Sequence, residues 1–574
     1  MQNKELTGYP SIDKPWLKYY DEKAINTPLP KCSMYEYLYQ CNKDYLDNTA
    51  LNYFGKKITY KKLFENIDKV AICLQAAGVK KGDIVSVCTL TAPETVYLIY
   101  AINKVGAVSN MLGLTSPVQD LHEQLASTDS KLVFAVEMAY DLIVEATKET
   151  KVEKIVSIPI EYSMPTPLKA AASLKQKHPK LNDMSIKWKE FLTLGEGKAF
   201  EPVEIDCEAM ALIMYTGGTT GTPKGVMISN NAANSFSAHY VDSGDVFYIK
   251  REHSFLNVLP PFLAFGAFAC THMPLCNGVE VILSPDPNPQ NMPKLIIQYR
   301  PNHFCCGPLH INSIMENKQL KNMDLSFVCS MIYGGESTTK EWQKQVNSFL
   351  KTHGARYGVI NGYGMTEAAG AICTVTHKID KLITYAKNII KIINPDSKEE
   401  CAYNETGEIV ICTPTMMLGY YHNLKDTNEI IYEQNGIKWL RTGDLGKISE
   451  DGELTITGRI KRIYWRKCDE AVVRVYPMRI EETLEKSKYV KGCCVVGKKD
   501  DAIGYSSIAY IILKDTTTNS EAVKAELDKL CRENLPESHV PDEYRFVSEF
   551  PLTRAGKVDY RALEKMAEKP IDNA

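Results

Sequence analysis

The sequence predicts an α/β protein: a large N-terminal domain of layered β/α sheets with a small β-barrel-like part, then a small α+β C-terminal domain. Three observations carry this. Short apolar runs alternate with amphipathic helical stretches as far as about Thr406. Beyond it, strand-like runs follow one another with turn dipeptides between them. After Gly458 a second helix-and-strand unit begins. Strands alternating with helices predict parallel sheets covered on both faces, and ligands bind such sheets at loops beyond the carboxyl ends of the strands.

In chain order, residues 84–90 read as a strand and 94–105 as the helix after it. Residues 131–136 and 152–158 are further strands, with 141–148 helical between them. Strands at 279–283, 302–306, 327–333 and 358–363 alternate with helices such as 293–299 and 339–350. In the strand-rich part, 408–412 and 454–457 read as strands, with Asn435–Gly436 and Asp451–Gly452 as turns. Asp-Gly between strand-like runs is a hairpin signal. The last unit carries helices at 478–487 and 520–531 and strands at 493–496 and 507–513.

Composition narrows the function. The 574 residues include 67 basic and 70 acidic side chains, a net charge of −3, which argues against a wholesale nucleic-acid binder. No uninterrupted apolar run of about 18 residues exists, so no membrane span is expected. The polar first 15 residues lack the apolar core of a secretory signal. The 17 cysteines include no C-x-x-C pair and read as reduced, small apolar residues of a cytoplasmic protein.

The strongest local signal is Tyr215-Thr-Gly-Gly-Thr-Thr-Gly-Thr-Pro-Lys-Gly225, which follows the apolar run 209–214. Glycines let the main chain approach an anion and aim N–H groups at it. Threonine hydroxyls add donors and Lys224 adds charge, so Thr216, Gly217, Gly218, Thr219, Thr220, Gly221 and Lys224 suit a phosphate cradle. The spacing is not that of a Walker loop.

This loop resembles the phosphate-binding signature of the adenylate-forming superfamily of acyl-CoA synthetases, adenylation domains and luciferases. Four other segments resemble that family in its order: Asn361-Gly-Tyr-Gly-Met-Thr-Glu367, Thr442-Gly-Asp-Leu-Gly446, Gly458-Arg-Ile-Lys461 and Pro551-Leu-Thr-Arg-Ala-Gly-Lys557. The resemblance implies an AMP-forming acid–CoA ligase. Such an enzyme activates a carboxylic acid with ATP to an acyl-AMP, releases pyrophosphate, and passes the acyl group to coenzyme A.

By that resemblance, Thr366, Glu367 and Lys557 are catalytic, with Glu367 also the ligand of Mg²⁺. Asn361, Tyr363, Gly364, Asp444 and Arg459 complete the ATP site. Phe262, Leu263, Phe265, Tyr333, Gly334, Gly335 and Ala368, with the neighbouring Ala369, line the acyl pocket. The chain divides into a core of residues 1–458 and a mobile lid of 459–574 turning at Lys461. The chemistry agrees: attack of a carboxylate on the α-phosphorus brings two anions together, so alignment and charge neutralisation dominate the barrier. The basic cluster Lys461, Arg462, Arg466, Lys467 and Arg474 suits the phosphates of coenzyme A or, equally, a solvated face.

Several positions depart from the family pattern. Gly217, Asn230 and Leu263 stand where serine, histidine and histidine are common. Residues 380–387 replace a Gly/Pro-rich turn, and 467–477 replace a glycine loop near the thiol acceptor. Two alternatives therefore stay open: a stand-alone enzyme that loads a carrier protein, and a catalytically weakened nucleotide-binding homologue. The acid itself is read only as an aryl or a medium-to-long alkyl carboxylate.

Overall fold

The computed structural model describes residues 6–175, 177–216, 223–241, 248–335, 338, 340–376, 379–468, 471–515, 520–553 and 557–569. Among them, two large sheets form the N-terminal part. The first has nine strands in the order Ile379–Thr384, Gly370–Thr376, Val359–Met365, Ser330–Gly334, His303–Cys306, Ser254–Asn257, Glu280–Leu283, Thr49–Tyr53 and Lys56–Thr59. Its central strands are parallel, and antiparallel strands lie at both edges. The second has eight strands: Gly419–Tyr420, Lys224–Ser229, Met210–Thr216, Val108–Met111, Ile84–Cys88, Leu132–Val136, Lys154–Ile158 and Ser185–Lys187.

Helices cover these sheets for sequence reasons. Tyr60–Ala76 starts at Thr59, whose hydroxyl accepts from the Lys62 N–H, and buries Leu63, Phe64, Ile67, Val70, Ala71 and Leu74 along one face. That spacing is the period of an amphipathic helix. Truncating Leu74, which is fully buried, to alanine would cost about 2–5 kcal/mol. Pro93–Lys104 is buried from Pro93 to Asn103, with proline in its first turn, where no helical N–H is lost.

The strand-rich part is a five-stranded antiparallel sheet. Its long strand Ile437–Ile448 pairs with Gly407–Cys412 on one side. Its first half also pairs with Ile431–Gln434 and its second half with Leu454–Arg459. The Asn435–Gly436 hairpin has both residues at positive φ, 54° and 74°, the geometry that matches the twist of a two-residue turn. Among the described residues, no pairing joins the outer strands of this sheet.

The C-terminal part holds the hairpin Tyr464–Cys468/Ala471–Val475 and the sheet Val490–Asp500, Gly504–Leu513, Glu543–Phe546. Helices Pro477–Leu484, Ser520–Asn534 and Tyr560–Ala567 pack on it. The large N-terminal part and small C-terminal part are thus as the sequence predicts. The two segments that depart from the family pattern contain paired strands. Residues 379–384 form an edge strand of the nine-stranded sheet, paired with Gly370–Thr376. Tyr464–Cys468 pairs antiparallel with Ala471–Val475. In both places β-branched and aromatic residues stand where glycine or proline would have broken pairing. Among the described residues, no helix is long and apolar enough to cross a membrane.

Candidate active site

The glycine–threonine segment lies between two paired strands. Met210–Thr216 and Lys224–Ser229 are antiparallel, with Thr216 opposite Lys224. Gly217, Gly218, Thr219, Thr220 and Gly221 fall outside the described residues. The flanking strand Lys224–Ser229 also pairs antiparallel with Gly419–Tyr420, with Tyr420 opposite Val226. The ammonium of Lys224 sits 5.0 Å from the centre of the Tyr420 ring and makes an ion pair with Asp426. The Tyr420 hydroxyl donates to Glu367 Oε1 at 2.7 Å. One side chain therefore ties the lysine of the glycine–threonine segment to the buried carboxylate of the Asn361–Glu367 motif.

That motif runs off the carboxyl end of a parallel strand. Tyr333 lies opposite Asn361 and Gly334 opposite Gly362. Two glycines allow a very close approach: a Cβ on Gly334 would lie 2.7 Å from the Gly362 oxygen, and one on Gly364 would lie 1.8 Å from the Gly370 oxygen. The chain then turns through Thr366–Ala368 as a single 3₁₀ turn, closed by Ala369 at φ 49°. Glu367 is held buried at this turn, and its carbonyl accepts from the Met417 N–H.

Asp444 is the second buried carboxylate. It lies opposite Arg459 in the pairing of two antiparallel strands, and Arg459 Nε donates to its Oδ1 at 2.7 Å. The Tyr363 hydroxyl donates to its Oδ2 at 2.8 Å, which ties this carboxylate to the Asn361–Glu367 strand. Burial pushes the Asp444 carboxyl above its ordinary value, while Arg459, Tyr363 and Lys557 oppose the rise. Lys557 enters from the C-terminal part. A Cβ built on Gly335 would meet Lys557 Cε at 3.3 Å and Nζ at 3.5 Å. Gly335 has φ +85°, a conformation that glycine adopts without strain.

Five separated segments therefore converge on one region. A sequence model of the family described as AMP-binding enzyme matches residues 38–421, and one described as AMP-binding enzyme C-terminal domain matches residues 479–557. The chain belongs to the AMP-binding enzyme family. It is 27% identical to a long-chain-fatty-acid–CoA ligase of Bacillus subtilis strain 168, over 96% of this chain and 97% of that one. It is 25% identical to a 4-coumarate–CoA ligase of Humulus lupulus, over 88% of each. Its fold is similar to the crystal structure of the anthranilate CoA ligase AuaEII in complex with anthranoyl-AMP, with TM-score 0.79 at 20% identity, covering 95% of this chain and 99% of that one. ATP-bound MatB from Rhodopseudomonas palustris gives TM-score 0.79 at 20% identity, covering 93% and 99%.

This AMP-binding enzyme packs Phe265 against Gly334, whose Cβ position is 3.8 Å from the Phe265 ring. Phe262 lies against Gly113 in the same way, at 3.6 Å. Leu263 falls between them, just ahead of the wide helix Phe265–His272. Ala368 and Ala369 are fully buried. Tyr333 belongs to a different core cluster from Phe262 and Phe265: it is fully buried, its hydroxyl bonds Thr338 and Gln343, and its ring meets Trp342 edge-on. Alternation along the strand explains this, since neighbours Tyr333 and Gly334 point to opposite faces.

The basic cluster reads differently in the structure. Arg462 pairs with Glu481 at 2.5 Å and stacks on Tyr560. Arg466 binds both oxygens of Asp542. Arg474 binds Asp396 at 2.7 Å, linking the hairpin to a turn of the core. Three of the five cations are thus committed to carboxylates within the chain, and Lys461 stands on the short turn Ile460–Arg462. Asn230 is likewise structural: its Oδ1 accepts from Met34 N and Asn103 Nδ2, and its Nδ2 donates to the Asp206 and Ala209 carbonyls. Sequence reasoning missed Tyr420 and Asp426. The only local signal was Gly419 before Tyr420, which takes φ 143° to enter its short strand.

Proposed function

We propose that this chain is an AMP-forming acid–CoA ligase, with the residues named from sequence acting in the roles their motifs suggest. The observation that carries the reading is Lys557: it comes from the small C-terminal part and lies against Gly335, next to the strand that leads to Glu367. In this reading Asp444 holds the ribose hydroxyls, oriented by Arg459 and Tyr363. Asn361, Tyr363 and Gly364 bound the adenine. Thr216 and Lys224, with the segment between them, bind the triphosphate, and Thr366 donates to the α-phosphate. Lys557 neutralises charge between the attacking carboxylate and the α-phosphorus as the P–O bond to pyrophosphate breaks.

Glu367 fits a hard divalent cation. Tyr420 occupies one carboxylate oxygen and the other remains for the metal. Mg²⁺ bound there would offset the charge of the departing phosphates. Phe262, Leu263, Phe265, Gly334, Gly335 and Ala368 would form the acyl site, with Tyr333 backing it from the core. We assign residues 1–458 to the core and 459–574 to a lid that turns at Lys461, withdrawing Lys557 once acyl-AMP has formed. A cytoplasmic setting accords with 17 cysteines none of which is in a disulfide.

The test is pyrophosphate release over carboxylic acids of graded length, alkyl and aryl, with and without coenzyme A. An acyl-CoA product is expected for at least one acid. Pyrophosphate exchange with no thioester on any acid would defeat the coenzyme A assignment. The hairpin in place of a glycine loop, with Trp465 and Val472 exposed on it, favours a carrier-protein thiol as the second reading. Preferential loading of a phosphopantetheinylated carrier would establish that alternative. ATP binding without acyl-AMP from any acid would instead mark a weakened homologue.

A further inference from the structure

The nine-stranded sheet carries an unusual cluster at the end away from the candidate active site. His253 immediately precedes the strand Ser254–Asn257, His303 opens His303–Cys306, and Cys329 immediately precedes Ser330–Gly334. The strands are parallel neighbours, with Phe255 opposite His303 and His303 opposite Ser330. The three side chains therefore stand in a row along the amino ends. His253 Nδ1 lies 2.8 Å from His303 Nε2, and the donor atoms of all three residues lie within 4.8 Å of one another.

We propose that His253, His303 and Cys329 form a binding site for a borderline-soft divalent cation, Zn²⁺ foremost, with a solvent molecule as fourth ligand. Two imidazoles and a thiolate are the donor set such ions select over Mg²⁺ or Ca²⁺, which take oxygen. His303 is fully buried, and its Nδ1 lies 3.0 Å from the Ser330 hydroxyl. That contact fixes the ring and points Nε2 at the cluster, the supporting arrangement that metal-bound histidines show. Cys329 is also buried, while His253 is half-buried and leaves a way in.

The alternative is a buried histidine pair sharing one proton. The Cys329 thiol meanwhile donates to the Phe327 carbonyl at 3.7 Å, a contact it would give up as a thiolate ligand. Zn–N and Zn–S bonds of about 2.0–2.1 and 2.3 Å call for donor separations of roughly 3.3–3.6 Å. The nitrogens must part slightly and the sulfur must close, within reach of rotamer adjustment. Lys250 and Arg356 bring positive charge to the rim, and Glu252 beside His253 supplies a carboxylate against it.

The ion would not touch reacting atoms. The carboxyl ends of the same strands lie three to five residues away, roughly 10–16 Å at about 3.3 Å per residue. Binding there stabilises the folded chain by mass action and leaves turnover alone.

The experiment uses the full-length protein stripped with a chelator, then titrated with Co²⁺ as a spectroscopic probe and with Zn²⁺ against a chromogenic competitor. We expect one equivalent bound, a thiolate-to-cobalt charge-transfer band bleached by Zn²⁺, and a higher Tm with Zn²⁺. Cys329→Ser should lose the band. Cys329→Ser and His253→Gln should each weaken Zn²⁺ binding at least about tenfold and abolish the Tm rise, with pyrophosphate release unchanged. His253→Gln, at a half-buried position, keeps the test valid if Cys329→Ser folds poorly. No stoichiometric ion, or binding unchanged in the folded variants, overturns the site. Zn²⁺ that inhibits turnover without raising Tm also overturns it, by locating the ion at the nucleotide.

Discussion

Replacing Lys557 with alanine separates the two half-reactions, and Gly335 supplies an independent check on why. Among the described residues, the Lys557 ammonium lies against Gly335, and its field already opposes the rise in the Asp444 carboxyl. Removing one charge-stabilising donor typically costs about 10²–10³ in rate. Pyrophosphate release by Lys557→Ala should fall by that factor, while thioester formation from supplied acyl-AMP should fall less than about tenfold. Gly335→Ala acts on the same group by volume. Its Cβ would lie 3.3 Å from Lys557 Cε and 3.5 Å from Nζ, on a backbone at φ +85°. The left-handed conformation costs a residue with a side chain about 1–2 kcal/mol. The crowding also displaces the lysine by a few tenths of an ångström. A loss of roughly tenfold in adenylation is expected, and the loss should vanish in the Lys557→Ala background because both changes act through one ammonium. The assay is pyrophosphate release with the best acid, run beside acyl-AMP consumption in the presence of coenzyme A. Equal loss of both half-reactions in Lys557→Ala, or fully additive effects in the double variant, would refute the reasoning.

Three further expectations rest on the same geometry. Tyr420→Phe removes a 2.7 Å hydrogen bond to a buried carboxylate, worth about 1.5–3 kcal/mol, so the Mg²⁺ concentration for half-maximal pyrophosphate release should rise at least about tenfold; an unchanged Mg²⁺ dependence would show that Glu367 needs no such support. Burial raises the Asp444 carboxyl and Arg459 holds it down, so Arg459→Gln should move its protonation to higher pH. Binding that needs the ionised carboxylate is then lost earlier on acidification, seen as a KM for ATP that climbs at a higher pH than in the native enzyme; a profile shifted to lower pH would contradict the assignment. Arg474→Ala breaks an exposed ion pair to Asp396 worth about 0.2–1 kcal/mol, so the ratio of thioester to adenylation rates should rise by no more than about fivefold and the gap should close in high salt.

What the sequence revealed and what it hid divide along a physical line. Strands with a strict apolar run, such as Leu132–Val136 and His303–Cys306, are buried on both faces and were legible within a residue or two. Motifs dense in glycine were legible too, because close backbone approach at Gly334 or Gly364 admits nothing larger. The hidden contacts are those made across the chain between residues with no local signature. Tyr420 is 53 positions from Glu367, and nothing around it distinguishes it from a core tyrosine until the short strand Gly419–Tyr420 seats it beside Val226. The arginines show the converse. A run of cations looks like a phosphate site when partners are invisible, yet Glu481, Asp542 and Asp396 lie 19, 76 and 78 positions from the arginines they neutralise. A charged side chain in sequence carries its sign but not its partner, whereas a glycine carries its constraint wherever it stands. It follows that Arg462, Arg466 and Arg474 could meet an acceptor's phosphates only by leaving Glu481, Asp542 and Asp396.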